Sequence, residues 1–181
     1  MSEREYQNRA KEVLGRIYDE VETQWLPFRG HGRGMYAPRV DIAVGPFATE
    51  RNYEHLYGEL LEQTRDFLER LIERHNRNVE NTEEQTSFER IAHFNTNARC
   101  LLCIEVEDTG SRKYCLGDLV NASALGRVGI LVARSEKMLN VFLRQRVYLH
   151  FLERVGKNTF RTDNALVLSA DQFDECLATI K

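Results

Sequence analysis

The chain lacks the features that mark membrane and secreted proteins. No apolar run approaches the roughly eighteen residues that a helix needs to span a bilayer. The first residues, Met-Ser-Glu-Arg-Glu-Tyr, are charged and contain no apolar segment of the kind found in a secretory signal. We therefore expect a cytoplasmic protein that has no membrane partner.

An excess of positive charge is also absent. The 25 Lys and Arg residues are outnumbered by 28 Asp and Glu residues, which gives a net charge of −3. The chain has no overall positive charge that would attract nucleic acid, so nucleic-acid binding would need a local basic patch. The 42% hydrophobic and 29% charged residues are ordinary for a globular protein. The length of 181 residues predicts one domain over the whole chain.

Cysteine is scarce, with four residues at positions 100, 103, 115 and 176. Cys100 and Cys103 form a Cys-x-x-Cys pair, a spacing that occurs in zinc and redox sites. The pair lies in an apolar, strand-like run, where an odd separation predicts side chains on opposite faces. No second close pair follows. Two interpretations stay open, a zinc site and free cysteines packed as small apolar side chains.

Apolar periodicity predicts helices in the first half of the chain and alternating strands and helices in the second. The first half is expected to contain a helix at about 3–25, a strand at 38–47, a helix at 53–76 and a polar loop at 76–87. The second half is expected to contain strands at 100–107, 128–133 and 165–169, and helices at 113–125, 136–155 and 171–180. This pattern predicts an α/β fold, a central mixed sheet flanked by helices. Residues at about 51–92 are interpreted as a helical insertion.

Three carboxylates interrupt predicted strands. The segment Cys100–Glu107 runs from apolar residues into Glu105 and Glu107, which share one face because side chains alternate along a strand. Two like charges that close repel each other unless a cation lies between them. Asp41 lies in a second short apolar segment. Three oxygen donors around one point suit Mg²⁺ or Mn²⁺.

A structural explanation of these acids stays open beside the metal site. Glu105 and Glu107 can lie on a solvated face, paired with Arg99 or Arg112. Asp41 can be hydrogen-bonded to a loop.

The order of these elements resembles the PD-(D/E)xK nuclease superfamily over roughly residues 3–131. The similarity lies in a helix, a strand with Pro-x-x-Asp at 38–41, a strand with Glu-x-Glu at 105–107, a helix and a strand. The resemblance implies a restriction-endonuclease-like fold and hydrolysis of phosphodiester bonds in nucleic acid. It implies that Asp41 and Glu105 bind the metal. Glu107 stands where the family usually has lysine, as a third ligand or base, and Lys113 would assist catalysis from the next element.

Further residues extend the predicted site. Arg29 and Arg33, with His31, lie in a glycine-rich loop that would clamp phosphates, or would be an ordinary surface loop. Arg112 is a third expected nucleic-acid contact.

Two helices offer further polar residues. The resemblance implies another glutamate from the first helix, for which Glu12 and Glu20 are candidates. Asp118 and Asn121 are three residues apart on one helical face, where they would line the site or cap nearby backbone.

Two functions stay open at this point. The first is a metal-dependent nuclease. The second is a catalytically inactive protein of the same fold that binds a protein or a nucleic acid, which the absent motif lysine and the acidic net charge favour. A homodimer formed through the helix at 136–155 is compatible with either.

Overall fold

The computed structural model describes residues 1–28, 38–48, 51–108, 111–157 and 161–181. The helices within these residues are α1 (Glu3–Leu14), α2 (Glu54–Gln63), α3 (Arg65–Asn78), α4 (Phe88–Ala92), α5 (Arg112–Leu125), α6 (Glu136–Arg154) and α7 (Ala170–Leu177), with a short 3-10 helix at Thr82–Glu84. The strands are β1 (Val21–Trp25), β2 (Val40–Val44), β3 (Cys100–Glu107), β4 (Gly126–Ala133) and β5 (Ala165–Ser169). The predicted α/β class, with a mixed sheet flanked by helices, is confirmed.

The five strands form one sheet in the order β1-β2-β3-β4-β5. The first three are antiparallel neighbours, whereas β3, β4 and β5 are parallel. Parallel neighbours need a crossover connection, which α5 and α6 supply. These two helices cover one face of the sheet, and α1, α3 and α7 cover the other. Every residue of β4 is buried, as a strand covered on both faces requires.

The helix predicted at 3–25 is wrong in its second half. The helix α1 ends at Leu14, and Val21–Trp25 forms the edge strand β1. Val21 and Trp25 continue the four-residue apolar spacing of the helix, but they pair with Val44 and Val40 of β2. Pairing with a distant strand therefore overrides the local helical periodicity.

The predicted helix at 53–76 is two helices, with a break at Thr64 between them. The polar segment predicted as a loop at 76–87 contains the last turn of α3 and the 3-10 helix. The description of 51–92 as an insertion concerns domain boundaries and stays a prediction. None of the helices in the described residues has the length and apolar character to cross a bilayer.

The prediction that Cys100 and Cys103 lie on opposite faces is wrong. Both thiols contact α5, at 3.6 Å from the carbonyl oxygen of Leu125 and 3.9 Å from that of Asn121. Leu101 and Leu102 between them both pack into the core on the other face, so strict alternation fails at this point of β3. All four cysteines are free and buried, and this pair packs among the apolar side chains beneath α5.

The outer edge of β5 is covered by side chains of α3. The amide nitrogen of Val167 donates to Nδ1 of His75 at 3.0 Å, and Nδ2 of Asn78 donates to the carbonyl oxygen of Val167 at 2.9 Å. Burial lowers the pKa of His75 to about 3, so the ring is neutral and can accept this bond. Backbone groups of Val167 that an edge strand would otherwise expose therefore have hydrogen-bond partners.

A buried ion pair joins the 3-10 helix to α6 beside the same edge. Arg146 is 2% exposed, and its guanidinium donates to the carboxylate of Glu84 at 2.9 Å and to the carbonyl oxygen of Glu84 at 2.8 Å. Nδ1 of His150 contacts the same carboxylate. Because α3 packs on β5 from one face and α6 from the other, this cluster connects the two helical layers.

Candidate acidic site

The strands β2 and β3 separate where the acidic residues begin. Their backbone ladder ends at the pair Ile42 and Ile104, whereas β3 stays paired with β4 as far as Glu107. Beyond Ile42 two carboxylates replace the ladder. The amide of Asp41 donates to Oε2 of Glu105 at 3.2 Å, and the amide of Val106 donates to Oδ2 of Asp41 at 2.8 Å. Asp41 and Glu105 are therefore brought together by the strands that carry them.

A chain of amides approaches Asp41 from the other side. Nε2 of Gln24 donates to Oδ1 of Asp41 and to Oε1 of Gln7, both at 3.0 Å. Gln7, which is 2% exposed on α1, donates in turn to Glu3 at 3.0 Å. Gln24 has φ 55°, a left-handed conformation that costs a residue with a side chain on the order of 1 to 3 kcal/mol. The fold thus holds Gln24 in a strained backbone where its amide fixes the orientation of the Asp41 carboxylate.

The helix α5 adds a fourth carboxylate from the layer above the sheet. Carboxylate oxygens of Glu107 and Asp118 and the sulfur of Cys115 all lie within 4.8 Å of one another. Asp118 and Glu107 are half-buried. Asp118 therefore lies in the site, whereas Asn121 contributes its backbone carbonyl to the contact with Cys103.

Three of the acids have no cationic partner within the part of the chain that the structure describes, although a buried charge is usually compensated by one. Among the described residues, Asp41, Glu105 and Asp118 form no ion pair with lysine, arginine or histidine. Arg99 donates to the carbonyl oxygen of Ala48 instead. Because Glu105 is only 4% exposed, the solvated-face interpretation is wrong for this residue.

Burial and mutual repulsion raise the pKa values of these carboxyl groups. Burial raises the pKa of Glu105 well above its ordinary value, and the neighbouring Cys103, Asp41 and Asp118 raise it further. Burial also raises the pKa of Asp41 to about 6, against the opposing effect of the Val106 amide.

The pKa of Asp118 is raised further than that of Asp41. Burial first, and then the charges of Glu107, Asp41 and Glu3, raise its pKa to about 7. Carboxyl groups that titrate near neutral pH are typical of sites that exchange protons or bind a cation in place of a proton.

The remaining predicted residues lie around this cluster or beyond the described part of the chain. Lys113 and Arg112 are exposed on the first turn of α5, and among the described residues no ion pair joins either of them to the acids. Arg29, Arg33 and His31 lie outside the described residues.

The acid that α1 contributes differs from both candidates. Glu12 and Glu20 are exposed, whereas Glu3 interacts electrostatically with Asp41 and Asp118. The N-terminal end of the helix, not its C-terminal part, therefore approaches the site.

Two glutamines of the site are missed by sequence reasoning. Gln7 precedes Ala10 by three residues and Leu14 by seven, so it lies on the apolar stripe of α1, and a polar residue on such a stripe is a detectable signal. Gln24 carries no such signal, because its role depends on a left-handed backbone conformation between Thr23 and Trp25, which both pair with β2.

The charge of Asp118 is expected to reduce stability as the pH rises. Its pKa is higher in the folded chain than in the unfolded chain, so the folded state binds the extra proton and the free energy of unfolding falls between about pH 4 and pH 7. Asp118→Asn, which is neutral at every pH, should raise the free energy of unfolding at pH 8 by about 1 to 3 kcal/mol, and by less at pH 5. Urea denaturation at both pH values measures the difference.

The control for this experiment is Asp19→Asn in the exposed turn before β1. It should change the free energy of unfolding by no more than about 0.5 kcal/mol at either pH. A gain from Asp118→Asn that is equal at pH 5 and pH 8 would show that ionisation is not its cause.

No known protein family, no curated protein and no solved structure matches the chain. The functional argument therefore depends on the geometry and the chemistry of the site itself.

Proposed function

We propose that the chain is a metal-dependent nuclease that hydrolyses phosphodiester bonds in nucleic acid, as a divergent member of the PD-(D/E)xK superfamily. The observation that carries the proposal is the convergence of Asp41 and Glu105 where β2 and β3 separate. The element order supports it, because a helix and three antiparallel strands precede α5 and β4, with the acids on the second and third strands.

The donor atoms of the site fit Mg²⁺ or Mn²⁺. Carboxylate oxygens are the hard ligands that these ions prefer, and within the described residues Asp41 and Glu105 form no ion pair with a cationic side chain. The thiol of Cys115 is a softer donor, so Glu107 and Asp118 are the ligands expected from its group. A bound ion would supply a Lewis acid and lower the pKa of a coordinated water.

The residues around that ion would have different roles. Asp41 and Glu105 would hold it, with Asp41 oriented by Gln24 and by the amide of Val106. Glu107 would be a third ligand or would accept a proton from the attacking water. Lys113, exposed on the first turn of α5, would approach a phosphate from the solvent side and stabilise its developing negative charge.

Calorimetric titration with Mn²⁺ and with Mg²⁺ tests the proposal. The wild-type chain should bind the ion more tightly at pH 8 than at pH 6, because the carboxyl groups must release protons first. Asp41→Asn and Glu105→Gln should each weaken binding at least about tenfold.

The matched controls are Asp66→Asn on α3 and Glu59→Gln on α2, which are exposed and make the same chemical changes. Both should bind the ion as the wild type does. An absence of any ion-dependent heat from the wild-type chain would overturn the metal site.

A second function, a catalytically inactive binding protein of the same fold, is favoured by a specific observation. Both oxygens of the Asp41 carboxylate already accept hydrogen bonds from the protein, and the position of the motif lysine is occupied by Glu107. In this case the carboxylates would serve to complete the sheet. Binding of an oligonucleotide without metal binding or cleavage would indicate this function.

A further inference from the structure

A cavity of about 600 Å³ lies between the first turn of α5 and the first half of α6, and we name it the α5–α6 groove. Its lining includes Ser111, Arg112, Lys137, Arg144 and Tyr148. The lining has three cationic side chains and, among the described residues, no carboxylate.

The three cations are not neutralised within the described part of the chain. Arg112, Lys137 and Arg144 form no ion pair there, although many other arginines, such as Arg65 and Arg90, pair with acids. A chain of net charge −3 thus concentrates uncompensated positive charge in one concave surface. Such a surface attracts phosphate groups, and the attraction weakens as salt increases.

Aromatic rings continue the same surface along α6. Lys137, Arg144, Tyr148 and Phe151 are separated by seven, four and three residues, so they lie on one face of the helix. Tyr148 is 52% exposed and Phe151 is 49% exposed. A positively charged groove with exposed aromatic rings beside it is typical of surfaces on which unpaired bases stack.

The groove adjoins the acidic site. Met138 lines the groove, and its sulfur lies 3.9 Å from that of Cys115, which belongs to the group formed with Glu107 and Asp118. Ser111, Cys115 and Asp118 share one face of α5. Ser111 precedes Asp118 by about 10 Å along the helix axis, which is about the length of three stacked nucleotides.

We propose that the α5–α6 groove binds the backbone of single-stranded nucleic acid and leads it to the acidic site. Arg112, Lys137 and Arg144 contact phosphates, and Tyr148 stacks on a base, which requires a base that is not enclosed in a duplex. The inference rests on the proposed function for the class of substrate, and adds the path of the strand and the preference for single strands.

Fluorescence anisotropy with a labelled oligothymidine tests the groove, in EDTA so that no metal-dependent cleavage occurs. The double variant Lys137→Gln/Arg144→Gln should bind at least about tenfold more weakly and should reduce the slope of log K against log salt by about 1.4, or 0.7 for each lost phosphate contact. Tyr148→Ala should weaken binding by about fivefold or more without changing that slope.

The matched control is Lys11→Gln/Arg70→Gln, which removes the same charge from exposed positions on α1 and α3, on the other side of the sheet. It should keep the wild-type affinity and slope. Wild-type binding by the groove variant, or equal binding of duplex and single strand, would overturn the inference. A change of sedimentation rather than oligonucleotide affinity in Tyr148→Ala would assign the surface to a second copy of the chain and overturn it as well.

A cleavage assay of the same variants with Mg²⁺ in place of EDTA, compared with the anisotropy results, separates this inference from the proposed function. Groove-dependent binding without metal-dependent cleavage would support the role of the groove and contradict the proposed nuclease activity. Cleavage that depends on Asp41 but is unaffected by substitution of Lys137 and Arg144 would support the nuclease activity and contradict the role of the groove.

Discussion

Asp41→Asn and Glu105→Gln are each expected to reduce Mg²⁺-dependent cleavage of a single-stranded oligonucleotide by at least about 10³-fold. Each substitution removes one negative charge at the proposed ion but keeps the size of the side chain. The amide oxygen that replaces a carboxylate oxygen can still accept the bond from the amide of Val106 or Asp41, so the end of the sheet should persist. The rate constant at saturating Mg²⁺ is the quantity to measure.

Control variants and urea denaturation distinguish loss of ion binding from loss of the folded structure. Asp66→Asn and Glu59→Gln repeat the two chemical changes at exposed positions and should cleave at the wild-type rate. Urea denaturation of the two site variants should show a cooperative transition. Cleavage at the wild-type rate by a folded Asp41→Asn variant would remove this residue from the catalytic site.

The second large effect is expected at the buried ion pair beside β5. Glu84→Ala should lower the free energy of unfolding by about 3 to 5 kcal/mol, because it leaves the guanidinium of Arg146 buried without its carboxylate. Urea denaturation at pH 7 measures the loss.

The neighbouring residue supplies a matched control for this prediction. Glu83 precedes Glu84 in the same 3-10 helix, but its side chain is 75% exposed and pairs with Arg154 only at the surface. Glu83→Ala should cost no more than about 1 kcal/mol. Equal losses from the two substitutions would mean that burial of the pair contributes nothing.

The second half of the fold could be predicted closely from the sequence. The strands β3 and β5 have the bounds that the sequence predicts for them, and Ser135 marks the start of α6 as its N-cap. Residues that are buried on both faces of a sheet leave a continuous apolar signal, and a capping serine leaves a local one. Both signals are properties of the segment alone.

The first half could not be predicted so well, because its structure depends on partners that are distant in sequence. The strand β1 has no alternating pattern and exists through its pairing with β2. The break at Thr64 has neither glycine nor proline to mark it. The irregularity at Leu101 and Leu102, which brings two cysteines to one side, arises from packing between layers.

The acids of the site were more predictable than the groups that orient them. Asp41, Glu105 and Glu107 stand out because each interrupts an apolar run, and the cost of burying a charge makes such an interruption informative. The amide of Gln24 and the carboxylate of Glu3 reach the site only through the tertiary arrangement of α1 and β1. Their contribution to the site is visible only in the three-dimensional structure.

The carboxylates of Asp41 and Glu105 take the place of backbone pairing between β2 and β3, so both residues have a structural role that does not depend on the proposed chemistry. A chain of this fold without the proposed activity would still need both acids at the end of its sheet, whereas the exposed Lys113 completes no strand and would not be needed.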